Sequence, residues 1–506
     1  MSAGTTSSAA DAAERYRAAM PAGDLVAFAT SPLDRVGVPA WAAVCFGADG
    51  SVPAGHGYGA TDDEALRSTW GEAAEAALLR RRLRRTPPRR ASYAELLAEV
   101  GPRGVADPLT LCLPAGCGYA PERPLDWVPF TRWGSGEEVL VPVELAAEEE
   151  ADLPPGSAPP PGGRLMTLIT NGLGAGDTLE RAVAHGLGEL LQRDGNGLRF
   201  RALDQGVVLD LGPGDCDVHD PVTREVLADL RAAGVEPLVK LATTALGVVD
   251  LYVVGDDREP DLALKVTAAG EAAHPDREVA LRKAVLEFSA ARARKAFMHG
   301  PLDAVAAVAP GAYLDRWLAT GASDPAHQER RTLEEMVRWL SFDADELREA
   351  LSGSVLSRRT SVPFADLPTT PLDGPGATCA HLVDVLGRAG HDVLVLDCSA
   401  DGAAAARVVV PGLEVETMSY GRIGERGVAE LLRRGDGTTG EHGLVGLGPA
   451  PEGAAPVLLT AEAHDRLGGR PWFDRAAAER VVGPLYPLYR EPARHAAQLA
   501  LGARSR

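Results

Sequence analysis

NGLGAGDTLERAVAHGLGELLQRD, residues 171–194, sets the reading of the whole chain. It joins a glycine-rich turn, with Gly172, Gly174 and Gly176, to a run in which Glu189 and Gln192 stand three residues apart. Side chains at that spacing project from one side of a helix, so both can address a single ion. The apolar residues 165–170 before the turn read as a strand, which makes the stretch a strand, a loop and a helix in succession. Asp177 reads as the helix cap with Glu180 at the third helical position, and the glycines permit close backbone approach to an anion. Taken alone, the turn is also what an ordinary strand-to-helix connection requires.

An earlier segment repeats the acidic spacing. Residues 41–46 read as a strand, GHGYGATDDEA supplies a turn, and Asp62 or Asp63 caps a helix that runs to about Arg85, where Pro87 and Pro88 stop it. That helix carries Glu72 and Glu75. Mg²⁺ takes oxygen ligands and keeps contacts with waters and substrate phosphates, so carboxylates on two helices facing a triphosphate suit it. His185 lies one turn before Glu189 and reads either as a supporting group or as a surface histidine. The glycines follow G-x-G-x-G, not the dinucleotide pattern G-x-G-x-x-G, and neither a Walker loop nor a kinase signature occurs. Asp215, Cys216, Asp217, His219 and Asp220 are metal-binding types in a short loop, but Asp220 before Pro221 is a good helix start and the rest reads as a solvated turn. The run RRRLRRTPPRR, residues 80–90, complements a helix C-terminus; the alternative is a docking patch for an acidic peptide.

The 506 residues are 45% hydrophobic and 24% charged, the balance of a soluble globular protein, with no apolar run long enough for a bilayer. A net charge of −20 repels phosphate backbones, so nucleic acid is excluded as a partner. Six scattered cysteines form neither a disulfide framework nor a zinc spacing, and the first residues are not a secretory signal, so a cytoplasmic protein with reduced thiols is expected. Residues 1–30 read as a flexible tail, 31–430 as one large domain with a proline-rich loop at 153–163, and 431–506 as an extension containing PLYPLYREP. Strands are expected at 139–145, 207–211, 237–241, 248–254, 393–398 and 407–410, with helices after Asp220, from Arg277 to Phe297 and around 333–351. No internal repeat stands out. The fold class is α+β.

Four ordered segments resemble the YcaO family: GYGATDDEALRSTWGEAAE (57–75), the stretch quoted first, ALRKAVLEFSAARAR (280–294) and VVVPGLE (408–414). The resemblance implies a large mixed-sheet domain with flanking helices and helical insertions that binds ATP and Mg²⁺ and modifies backbone amides of a ribosomally made peptide. By position it implies Glu72, Glu75, Glu189 and Gln192 as metal ligands, and Ser68, Gly174, Asp177, Arg181, Arg193, Glu287 and Arg292 as nucleotide contacts; no side chain is given a catalytic acid, base or nucleophile role. The departures are Gln192 for a glutamate, Asp177 for asparagine, Arg181 for a glutamate, Tyr58 for a lysine and Ala290 for a glutamine. Family chemistry implies phosphorylation of an amide oxygen, with azoline, thioamide or amidine as product. The implied partners are the peptide, a leader-binding or sulfur-delivery protein and a second copy in a homodimer; the implied alternative is a noncatalytic peptide-binding or scaffold subunit.

Overall fold

Three sheets each end in an edge strand that turns directly into a long helix, and these three helices frame the interior of the protein. The computed structural model describes residues 9–159, 163–199, 203–415, 421–435, 437–440 and 443–504. The first sheet pairs Gly23–Ala29, Ala40–Gly47 and Ala54–Tyr58 antiparallel, and its edge strand Ala54–Tyr58 leads into helix Asp62–Arg84. In the second sheet the order is Ala269–His274, Val249–Asp257, Val235–Thr243, Val207–Asp210 and Thr360–Pro363, and the edge strand Ala269–His274 leads into helix Arg277–His299. The third runs Arg89–Ser92, Pro124–Arg132, Leu394–Asp397, Ala404–Val409 and Leu173–Gly176, with Glu138–Pro142 beside Pro124–Arg132; its edge strand Leu173–Gly176 leads into helix Leu179–Arg199.

Small residues let each helix lie directly on its strand. A Cβ on Gly55 would stand 2.1 Å from the Thr69 carbonyl oxygen, one on Gly174 2.1 Å from that of Ala182, and one on Gly270 2.1 Å from that of Ala284. Any side chain there would push the helix away. Thr61, Thr178 and Asp276 then cap the helices by accepting from Glu64, Arg181 and Glu278 N–H groups.

Several expectations are corrected. The glycine stretch Leu173–Gly176 is itself the strand, whereas residues 165–170 have no ladder; Met166 N–H donates to Glu144 and the Ile169 carbonyl accepts from Arg407, so side chains satisfy that backbone instead. Thr178 caps the second helix, while the Asp177 carboxylate pairs with Arg181 Nε at 2.6 Å. Of the expected tail 1–30, residues 1–8 lie outside the described residues and the rest is structured. Helix Ala9–Ala18 sets Ala12 and Tyr16 on one face, which with Met20 packs on Trp70 and Leu78 of the first long helix, and Gly23–Ala29 is a paired strand. The boundary at 430/431 falls inside helix Glu425–Arg434, whose Val428 and Leu431 share a core with Phe473 and Tyr486. The C-terminal segment also returns to the main body, where Arg494 Nη2 donates to the Gly55 carbonyl. The helical segment expected around 333–351 consists of two helices, Arg330–Leu340 and Ala344–Ser352.

Much of the arginine run is paired internally, Arg80 with Asp152 and Glu149, Arg81 with Asp401, Arg84 with Asp49 at 3.7 Å, Arg89 with Glu99 and Arg90 with Asp126, while Arg84 and Arg85 stay exposed. The 215–220 cluster is likewise structural: Asp215 pairs with Arg231, His219 with Glu278, and Asp220 caps the next helix.

Arg292, expected at the nucleotide, lies in the core. It is fully buried and donates to both oxygens of Asp34 (3.1 and 3.2 Å) and to Asp257 at 2.7 Å, which locks the third long helix to the segment after the first strand. Removing one partner from a buried ion pair strands the other charges. Arg292→Met should therefore lower unfolding free energy by roughly 3–5 kcal/mol in urea titrations, with nucleotide affinity of the folded fraction unchanged.

Candidate nucleotide and metal site

The three helices point their acidic residues into one cavity of about 670 Å³. Glu72 and Glu75 enter from the first helix, Glu189 and Gln192 from the second, and Glu287 from the third. A backbone N–H beside each glutamate fixes its direction. His56 N–H donates to Glu72 at 2.7 Å, Gly172 N–H to Glu189 at 3.0 Å and Glu271 N–H to Glu287 at 3.1 Å, and Ala175 N–H reaches Glu75. Gly172 makes its contact in the left-handed region, φ +79°, which glycine adopts without strain.

A repeat that the sequence conceals becomes visible here. From Gly55, Gly172 and Gly270, the helix cap follows six residues on, at Thr61, Thr178 and Asp276, and the glutamate seventeen on, at Glu72, Glu189 and Glu287. Thirteen residues on stand Ser68, His185 and Lys283, and all three line the cavity. Apart from glycine, cap and glutamate the three segments share little, which is why the period escapes a reading by composition.

Crowding and burial resist ionisation of these groups. Burial pushes Glu75 well above the usual carboxylate range, reinforced by Glu189, Glu72 and Glu148. Burial also raises Glu72, against the opposing His56 N–H. Glu287 is pushed up to about 7 by burial and Glu271, and Glu148 to about 8 by burial, opposed by Arg407 and helped by Asp152 and Glu189. A set of carboxylates in this state gains most from a bound divalent cation. Among the described residues no three His, Cys, Asp or Glu side chains stand close enough together to hold a metal ion by themselves. The acidic groups instead surround an open space, the form expected where substrate oxygens complete the coordination.

Cations share the walls: Arg67, Arg181, Arg193, Lys283 and Arg294 line the cavity. Arg193 stands 3.7 Å from Glu189 and 3.6 Å from Glu271. Gln192 Nε2 donates to Glu271 at 2.9 Å, which leaves its carbonyl oxygen as the candidate ligand atom. His185 faces the cavity, and burial together with Lys283 pushes its imidazole down to about 4, so it is neutral at physiological pH.

Of the residues expected from sequence, Ser68, Glu72, Glu75, Asp177, Arg181, Glu189, Gln192, Arg193 and Glu287 line this cavity. Gly174 is not among its lining residues; it packs against the second helix, where a Cβ would meet the Ala182 carbonyl. Arg292 does not line it either, for the reason given above. Lys283 and Arg294 were missed although they lie one turn before and two turns after Glu287 on one helix, a spacing that would have revealed them. Glu148 and Glu271 carried no such signal.

A second cavity of about 550 Å³ adjoins the first, with Glu148, Gln192, Arg193, Glu271, Glu287 and Arg294 lining both. Residues 487–493, the end of PLYPLYREP and the alanine after it, close its far side.

An α+β framework, carboxylates from separate helices and interspersed arginines define the class of protein that binds a nucleotide with a divalent cation. Residues 56–414 match the YcaO cyclodehydratase family, described as ATP- and Mg²⁺-binding, and the chain belongs to that family. An uncharacterised protein of Methanothermobacter thermautotrophicus is 28% identical over 399 residues, 78% of this chain and 90% of its own length. In fold the chain is similar to a heterocyclase solved with substrate and cofactor (TM-score 0.59, 18% identity, 85% of this chain) and spans 55% of that protein. It is also similar to YcaO from Methanopyrus kandleri bound with AMPPCP and Mg²⁺ (TM-score 0.51, 20% identity, 79% of this chain and 88% of that one). No helix among the described residues is long and apolar enough to cross a membrane.

The raised carboxyls tie stability to pH. A group held above its ordinary value contributes stability that is complete below that value and is lost as pH rises through the folded one. For Glu148 and Glu287 this window opens near 4.5 and closes between about 7 and about 8. The thermal midpoint of the ligand-free protein should therefore fall as pH rises through that range, and Mg²⁺ with AMPPCP should flatten the fall in differential scanning fluorimetry.

Proposed function

We propose that this protein uses ATP and Mg²⁺ to activate backbone amides of a ribosomally made peptide. The observation that carries the reading is one cavity into which Glu72, Glu75 and Glu189 converge, joined to a second cavity of a size to admit a peptide segment. Oxygen-rich, under-neutralised walls fit a hard divalent cation, and the flanking arginines fit phosphate. Glu72, Glu75, Glu189 and the Gln192 oxygen would hold the metal; Ser68, Arg181, Arg193 and Lys283 would contact the nucleotide. When bound, ATP supplies the phosphoryl group that turns a poor amide oxygen leaving group into a good one.

The chain's own groups orient and shield. Backbone N–H donors hold Glu72, Glu189 and Glu287 before any ligand arrives, so little rearrangement is needed to assemble the site. Arg193 and Arg294 border both cavities and can place positive charge where phosphate and amide oxygen meet. Residues 487–493 wall the peptide side, so the internal PLYPLYREP occupies a place beside the reaction zone without being a chain terminus. A thiol or hydroxyl of the peptide as nucleophile gives an azoline, sulfide a thioamide and an amine an amidine; a leader-binding or sulfur-delivery protein would then act as partner. The neutral Gln192 and the Asp177 to Arg181 pair motivate the second reading, a binding subunit that has lost catalysis.

Calorimetric titration with AMPPCP and Mg²⁺ should give binding that Glu72→Ala weakens on the order of tenfold or more. A candidate precursor peptide incubated with ATP should show loss of water, or, with sulfide added, exchange of oxygen for sulfur by mass spectrometry, with ADP as the nucleotide product. Wild-type protein that binds no nucleotide would defeat the enzyme reading; binding without peptide turnover by any nucleophile would favour the scaffold.

A further inference from the structure

Glu148 is the inward member of an acidic trio whose neighbours are already spoken for. Glu149 pairs with Arg80, and Glu150 forms a two-point contact with Arg164 at 2.5 and 2.7 Å. Glu148 instead turns into the protein, with its side chain 11% exposed, and stands at the junction of the two cavities. Its Oε1 is buried without a hydrogen-bond partner. The facing cation, Arg407 Nη1, is 3.6 Å away, beyond hydrogen-bond reach, and Arg407 is engaged elsewhere, donating to the carbonyls of Leu145 and Ile169 at 2.9 and 3.0 Å. Arg407 thus gives Glu148 a counter-charge but no hydrogen bond, so Oε1 is left as a buried acceptor with room for a further ligand.

The same cavity has an uncharged side chain at one of its candidate ligand positions. Gln192 offers a neutral oxygen on the helical stripe that begins with Glu189, and its amide nitrogen is fixed on Glu271. We propose that Glu148 belongs to the metal-binding set and supplies, from a separate segment, the carboxylate that Gln192 does not. The assignment rests on the MgATP reading above and extends it to a residue outside the three strand-and-helix units. Electrostatic coupling of Glu148 to Glu75, Glu72 and Glu189 agrees with the placement. Charge count and ligand reach together set divalent-cation affinity, so a carboxylate can be supplied from either position.

The test uses the full chain saturated with AMPPCP and follows Mn²⁺, in place of Mg²⁺, by electron paramagnetic resonance. Glu148→Gln should weaken Mn²⁺ retention on the order of tenfold or more. Adding Gln192→Glu to that variant should recover most of the loss. Thermal melts check folding; should Glu148→Gln fail to fold because Arg407 loses its counter-charge, Glu148→Asp keeps the charge, withdraws the oxygen by one methylene and should weaken Mn²⁺ in the same direction. Unchanged Mn²⁺ affinity in the folded Glu148 variant overturns the assignment, as does a loss that Gln192→Glu leaves unrepaired. Wild-type protein that binds neither AMPPCP nor Mn²⁺ defeats the parent reading, an outcome separate from a silent Glu148.

Discussion

Like charges do not gather unless something holds them, and here the holding is done by edge-strand backbone. A strand at the rim of a sheet has N–H groups with no neighbouring strand to receive them. In this protein His56 and Glu271, both on edge strands, and Gly172, immediately before one, donate to Glu72, Glu287 and Glu189. One hydrogen bond therefore does two things: it satisfies an exposed backbone donor and it aims a carboxylate at the cavity. The arrangement recurs in three separate sheets, so the cavity is the place where their rims meet.

The rest of the architecture serves that meeting. The long helices must lie close on their strands for the glutamates to reach the N–H groups, and Gly55, Gly174 and Gly270 make this possible by leaving no side chain in the gap. Behind the cavity, buried guanidinium groups fix the frame: Arg292 in ion pairs with Asp34 and Asp257 holds the third helix, and Arg494, donating to the Gly55 carbonyl, braces the first edge strand from the C-terminal segment. The centre is thus left acidic and strained in charge while its supports are neutralised. Such a division between a well-satisfied scaffold and an under-satisfied site is what ligand binding in a preformed cavity requires.

Much of this was legible in the sequence where the signal was local. The helix that follows the glycines, the acidic spacings and the capped helix after Asp220 each depend on residues within a few turns of one another, and the structure places them as expected, although the glycine stretch itself is strand and Thr178 is the cap. Long-range partners were not legible. Arg292 reads like a nucleotide contact until Asp34, 258 residues away, is seen to take its guanidinium. Glu148 sits in a run of three glutamates, where nothing distinguishes the one that turns inward. Residues 165–170 have the apolar character of a strand, yet Leu165 and Met166 are buried while side chains serve that backbone, so burial without a ladder mimics the pattern. The threefold correspondence was hidden because geometry preserves only a glycine, a cap and a glutamate in each unit.

The central claim is that acidic side chains from separate helices surround one metal-held triphosphate. A crystal grown with AMPPCP and Mn²⁺, measured at the manganese absorption edge, tests it most directly. The account predicts anomalous peaks between the nucleotide phosphates and the oxygens of Glu72, Glu75 and Glu189. Manganese and nucleotide bound elsewhere on the protein, with these carboxylates still facing only water, would contradict it.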